Sequence, residues 1–237
     1  MSKSLTLILL NPTEIQAQVQ QDLRVPCQIS YYKDRAVLSL PSVADCSFQS
    51  LFEKFQEQYP KELLRLGDVP WIQDLVKKLR QRSERITTAE SCTGGLISSF
   101  LTDIPGSSEV FWGGLVTYSN EAKIKLLNVP KEILETYGAV SLETVTRMAE
   151  KAALLGSTEW GLAVSGIAGP GGGSEEKPVG TVCIALVGPK VHIKEKLLFH
   201  GNREQIRHKT AIFALLLLEN SLQSNSYIDR QGWNAYI

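Results

Sequence analysis

Apolar positions along the chain fall into short runs and helical repeats, and these predict one element after another. Residues 5–10 form a brief apolar run of strand character. Residues 12–23 are polar and Gln-rich, and they permit a helix with Pro12 in its first turn, where a missing N–H costs nothing. Residues 28–32 and 36–40 flank Lys33-Asp34-Arg35 as the strands of a hairpin. Leu51, Phe52, Phe55, Leu63 and Leu64 predict a helix over 47–66, which completes a β-α-β-β-α order. Farther on, Trp71, Ile72, Leu75, Val76 and Leu79 recur at helical spacing. A short strand is expected at 86–89, a helix at 94–101 and a strand at 110–117, where Gly113-Gly114 permits a bulge or a close approach. Helices are expected at 120–127, 131–137 and 141–155, the last opened by a Ser141 cap. Residues 160–165, 180–187 and 191–199 read as strands, and 203–222 as a long helix with an apolar face. Alternating strands and helices predict a layered α/β/α sheet domain.

Glycine sharpens the division. None of the 18 glycines precedes Gly67. The expected organisation is a small α+β domain at 1–66, an α/β domain at 67–222 and a polar, peripheral tail at 223–237. Charge is balanced, with 25 basic and 25 acidic residues, so the basic surplus that phosphate-binding surfaces require is missing from the total. Nucleic acid is therefore not the expected partner. Cys27, Cys46, Cys92 and Cys183 form no C-x-x-C pair, and the histidines are only His192, His200 and His208, so no metal site is expected. Scattered cysteines without a secretory signal fit a cytoplasmic protein. The apolar runs at 5–10 and 211–218 are too short to span a membrane.

The richest chemistry lies at Thr88-Ala89-Glu90-Ser91-Cys92-Thr93-Gly94-Gly95. Ser91 follows a strand and precedes a helix, where unpaired N–H groups can hold an anion or a developing oxyanion. The sequence is not the G-x-S-x-G elbow, and Ser91 or Thr93 also fits a simple helix cap. A serine nucleophile needs a base. Lys123, one helical turn after Ser119 in Thr117-Tyr118-Ser119-Asn120-Glu121-Ala122-Lys123, is a candidate if burial keeps it neutral. A solvated Lys123 behind a Ser119 or Asn120 cap fits the same spacing. The loop Gly169-Pro170-Gly171-Gly172-Gly173 could wrap a phosphate, although it matches neither common nucleotide fingerprint, and Arg203 with Arg207 could grip one bidentately. A mobile loop and surface ion pairs are the alternatives.

Ala89 to Gly95, Thr117 to Lys123, Gly138-Ala139-Val140-Ser141, Ser165 to Gly172 and Lys177-Pro178-Val179-Gly180-Thr181-Val182 occur in that order. Together they resemble the C-terminal domain of the CinA (competence/damage-inducible) family, whose stand-alone members are nicotinamide-nucleotide amidases (PncC). The resemblance spans roughly residues 70–222. It implies hydrolysis of the carboxamide of nicotinamide mononucleotide to nicotinate mononucleotide and ammonia. Ser91 would be the nucleophile, Lys123 the base and Tyr118 an orienting or relaying partner. Thr93, Gly94, Gly95, Ser119, Asn120, Gly169, Gly171, Gly172 and Arg203 would bind substrate. No cofactor or metal is implied, and a homodimer or higher homo-oligomer is expected. Residues 1–66 resemble the small KH-like segment that precedes this domain in longer members, without the nucleotide-pyrophosphatase domain that comes first there. They lack the G-x-x-G loop by which KH domains clamp RNA, so packing or dimerisation is the expected role. The competing expectations are an inactive nucleotide-binding or scaffold protein linked to competence or DNA damage, and a nucleic-acid-associated competence factor.

Overall fold

The structure, a computed structural model, describes residues 3–8, 12–40, 45–59 and 64–223. The chain divides into two compact units, the first ending at Trp71 and the second beginning at Ile72. The expectations for residues 9–10, 60–63 and the tail from 224 lie outside the described residues.

The first unit runs β1 (Lys3–Leu7), α1 (Pro12–Leu23), β2 (Gln28–Tyr31), β3 (Ala36–Leu40), α2 (Asp45–Gln58) and β4 (Leu64–Leu66). The expected β-α-β-β-α order is present, and one more strand extends it. All pairings are antiparallel in the order β2-β3-β1-β4, the split β-α-β arrangement of ferredoxin-like folds. The helix expected over 47–66 stops at Gln58. Pro60 in the sequence disfavours helical backbone at the residue before it and cannot donate to the preceding turn. Leu64–Leu66 instead pairs with β1, Leu5 opposite Leu66 and Leu7 opposite Leu64. Leu5, Leu7, Leu38, Leu40 and Leu64 are buried, as are Ile15, Val19, Phe52 and Phe55 of the helices.

The second unit is a mixed five-stranded sheet, ordered β6-β5-β7-β8-β9, from β5 (Ile86–Glu90), β6 (Phe111–Val116), β7 (Trp160–Gly166), β8 (Thr181–Gly188) and β9 (Val191–Leu198). β5 pairs parallel with both β6 and β7, while β8 and β9 continue antiparallel. Every residue of β5 is buried, and so is nearly all of β7 and β8, because helices cover both faces. On one face Ala89, Ala163, Cys183, Ala185 and Val187 meet Val145, Met148, Ala149 and Ala152 of α7 (Leu142–Gly156). On the other lies α4 (Leu96–Thr102), whose Ser98 hydroxyl meets Thr88, beside α8 (Arg203–Gln223). The remaining helices are α3 (Trp71–Gln81), α5 (Asn120–Leu127) and α6 (Lys131–Tyr137). Among the described residues, no helix is long and apolar enough to cross a membrane.

This topology decides where a site can form. The carboxyl ends of the three parallel strands β6, β5 and β7 open together, and the chain leaves β5 between neighbours on either side, the crevice where open α/β sheets place ligands. Close helix–sheet packing supports that crevice. A Cβ on Gly161 of β7 would overlap the backbone carbonyl oxygen of Ala149 in α7 and approach Ala153 Cβ at 2.9 Å. Gly161→Ala is therefore expected to destabilise the protein by about 2–3 kcal/mol, read as a lowered thermal midpoint, whereas Ala substituted at Gly113, which has open space, leaves the midpoint near that of the parent.

Candidate active site

Ser91 is the first residue beyond β5. Its backbone N–H donates to the Val164 carbonyl of β7 (3.0 Å), and its own carbonyl accepts from Gly94 N–H (3.1 Å), which closes a tight turn. Gly94 and Gly95 hold positive φ of 59° and 97°, where glycine has no Cβ to strain. Behind the turn sits the fully buried Glu90 side chain. Its Oε2 accepts from the Thr93 hydroxyl (2.7 Å), Gly95 N–H (2.9 Å) and Ile97 N–H (3.1 Å). Its Oε1 accepts from Ser98 N–H (2.8 Å) and the Ser98 hydroxyl (2.6 Å). Arg207 of α8 grips the turn through its carbonyls, Nε to Cys92 O (3.0 Å) and Nη2 to Thr93 O (2.7 Å).

Lys123 comes from α5, whose start is fixed by the Ser119 hydroxyl accepting from Ala122 N–H (3.0 Å). Side chains in a helix lean toward its N-terminus, so the Lys123 amine reaches back past the helix start. There Nζ donates to the Thr117 carbonyl (2.8 Å) and lies 3.2 Å from Ser91 Oγ. The residue is 1% exposed and makes no ion pair among the described residues. Burial pulls its pKa down from 10.5 to about 8, slightly opposed by Cys92. Burial has the opposite effect on the neighbouring thiol, pushing Cys92 up to about 12, so sulfur is no competing nucleophile at neutral pH.

The pair opens into a cleft of about 260 Å³, lined by Ser91, Cys92, Tyr118, Lys123, Ala139, Val140, Ser165, Gly166, Ala168 and Arg203. Arg203 bridges its mouth, Nη1 to the Gly169 carbonyl (2.7 Å) and Nη2 to the Tyr118 hydroxyl (2.9 Å). Of the residues expected at the site, Ser91, Lys123, Tyr118 and Arg203 are thus brought together. Tyr118 is 60% exposed and its hydroxyl is held by Arg203 rather than by Lys123. The other expected binding residues do not line the cleft. Thr93 and Gly95 give their donors to Glu90, and Gly94 gives its N–H to Ser91. Ser119 caps α5 and Asn120 is exposed at its first position. Gly169 meets Arg203 through its carbonyl, and Gly171 and Gly172 are exposed. Arg207, expected to share a phosphate with Arg203, holds the Ser91 turn instead.

The pattern of the CinA C-terminal domain matches residues 70–222. The chain belongs to the CinA C-terminal domain family. A CinA-like protein of Leptospira biflexa is 45% identical over 183 residues, covering 77% of this chain and 43% of that protein. A CinA-like protein of Synechocystis is 50% identical over 150 residues, covering 62% of this chain and 36% of that protein. Among solved structures, the competence or damage-inducible protein of Enterobacter asburiae is 37% identical, covers 64% of this chain and 98% of that one, and superposes with a TM-score of 0.61. The chain spans less than half the length of these two CinA-like relatives.

Sequence reasoning missed several residues of the CinA-family cleft. Ala139 and Val140 arrive before the Ser141 cap of α7, and Ser165 donates to the Ala139 carbonyl (2.7 Å), tying that segment to β7. Gly166 is required by closeness alone, since a Cβ there would stand 2.7 Å from Val182 Cγ2 and 3.1 Å from Cys92 Sγ. The only signal was their membership of the recurring segments.

Burying a lysine amine has a cost that depends on pH. Below about pH 8 both folded and unfolded chains hold the proton, and the folded chain bears the full penalty. Between about 8 and 10.5 the unfolded chain binds more protons than the folded one, so stability rises with pH across that window. Lys123→Met removes the penalty but leaves the Thr117 carbonyl without its donor. The variant is expected to be about 1–3 kcal/mol more stable than the parent at pH 7, with the advantage shrinking toward pH 10 in denaturant titrations.

Proposed function

We propose that this member of the CinA family is a serine amidohydrolase, with nicotinamide mononucleotide as its substrate, and that the buried Lys123 amine 3.2 Å from Ser91 Oγ is its catalytic dyad. That contact carries the reading. A base must lie within hydrogen-bond reach of the proton it takes and must be neutral when it does so. With a pKa of about 8, roughly one Lys123 in ten is neutral at pH 7, against about one in three thousand at the ordinary value.

The chemistry runs in two stages. Lys123 takes the Ser91 proton as Oγ attacks the carboxamide carbon, and the carbonyl oxygen becomes an oxyanion. The Cys92 N–H follows the nucleophile directly, and among the described residues its one acceptor is its own thiol, so it is the donor assigned to that oxyanion when substrate binds. Lys123 returns the proton to the departing nitrogen, ammonia leaves, and an ester to Ser91 remains. Water activated by the same amine cleaves the ester and releases the carboxylate. Arg203 keeps further N–H donors for a phosphate at the cleft mouth.

Nicotinamide mononucleotide supplied to the purified protein should yield ammonia and nicotinate mononucleotide in equal amounts. Ser91→Ala and Lys123→Ala should each lower kcat by about 10³-fold or more, and Arg203→Ala should act mainly on KM. The rate should climb with pH through about 8, as Lys123 loses its proton. Tight binding of the mononucleotide without ammonia release would instead favour a non-catalytic nucleotide-binding protein.

A further inference from the structure

Ser91 and its turn are held from behind by a carboxylate that never reaches the cleft. Helix α4 has Gly95 at its N-cap and no side chain from that position to satisfy its first N–H groups. Glu90, immediately before the nucleophile, supplies the acceptor instead, and it takes five hydrogen bonds while fully buried. The Ser98 hydroxyl that donates to Glu90 also pairs with the Thr88 hydroxyl at 3.1 Å. Gly114 of β6 makes room for this pair, since a Cβ there would overlap Ser98 Oγ. Arg207 of α8 fixes the Cys92 and Thr93 carbonyls. The Ser91 N–H, the Ser91, Cys92 and Thr93 carbonyls, and the Gly94 and Gly95 N–H groups are all engaged as a result.

We propose that Glu90 is a positioning residue for the Ser91 nucleophile, resting on the hydrolase reading above. By clamping Thr93, Gly95, Ile97 and Ser98, it sets the turn in which Ser91 Oγ lies within reach of the Lys123 amine. The same contact removes the start of α4 from substrate binding. The donors at the start of α4 are spent on that carboxylate, and Arg203 at the cleft mouth remains to receive an anionic group of the substrate. A glutamine cannot substitute, because it carries one carbonyl oxygen and an amide nitrogen that would face donors rather than accept from them.

The test uses a small phosphonofluoridate that reacts with activated serines, so it does not depend on which amide the protein hydrolyses. Ser91 Oγ bonds to phosphorus, fluoride leaves, and the serine proton passes to Lys123. The adduct is located by mass spectrometry, with Ser91→Ala as the blank. In Glu90→Gln the maximal labelling rate should fall at least about 30-fold, while the half-saturating probe concentration and the pH midpoint near 8 stay at parental values. A purely structural loss would lower the folded fraction and leave the rate per folded molecule intact, which would overturn the proposal. If Glu90→Gln does not fold, Ser98→Ala and Thr93→Val each remove one donor to Glu90 and should slow labelling by roughly three- to ten-fold. Parental rates in both would overturn the proposal. Labelled parent protein with equally fast Glu90→Gln defeats the positioning role alone. Absence of labelling at Ser91 in the parent defeats the nucleophile reading and the positioning role with it.

Discussion

The Lys123 amine is packed out of water against a serine hydroxyl and one backbone carbonyl, and no carboxylate pairs with it among the described residues. A buried cation without a counter-charge is costly, and the least costly response is to give up the proton. Much of the second unit holds the amine in that position. β6 ends where Thr117 can present its carbonyl, Ser119 starts α5 within one turn of Lys123, and β5 delivers Ser91 to the same point. The parallel pairing of β5 with β6 and β7 makes the three strand ends coincide.

Two buried charge-bearing groups flank the nucleophile, and their surroundings give them opposite tasks. Glu90 is surrounded by donors and has nothing left to do but hold them. Lys123 has two hydrogen-bond partners among the described residues and a pKa lowered by burial, so it can release its proton near neutrality. Hydrogen-bond surroundings rather than charge alone divide the structural role from the reactive one here.

Much of the second unit was legible in the residue pattern. Buried apolar runs located every strand from Ile86 onward, helical spacing located α3, the Ser141 cap located α7 and an apolar face located α8, because each of these segments buries a continuous row of side chains. The first unit was less legible. A three-residue strand at Leu64–Leu66 carries too short a pattern to separate from the helix before it, and the sequence signal of Pro60 against helix was not weighed. At the site, the strand-to-helix turn placed Ser91 directly after β5, as the structure has it, but the helix end expected to hold an anion is occupied by the protein's own Glu90. Contacts such as Arg207 with Cys92, across 115 positions, depend on how α8 lies over the sheet, which no local spacing encodes. The Ser91–Lys123 pairing became legible only through the ordered set of family segments.

The account depends most on one property, the protonation of a single side chain. Heteronuclear NMR of the lysine side-chain nitrogens, with Lys123→Arg identifying the resonance, measures it without substrate or turnover. A Lys123 midpoint near pH 8 is the result expected of an amine buried against Ser91. A midpoint at the ordinary value of 10.5 would mean a solvated, permanently charged lysine and would contradict its role as the base.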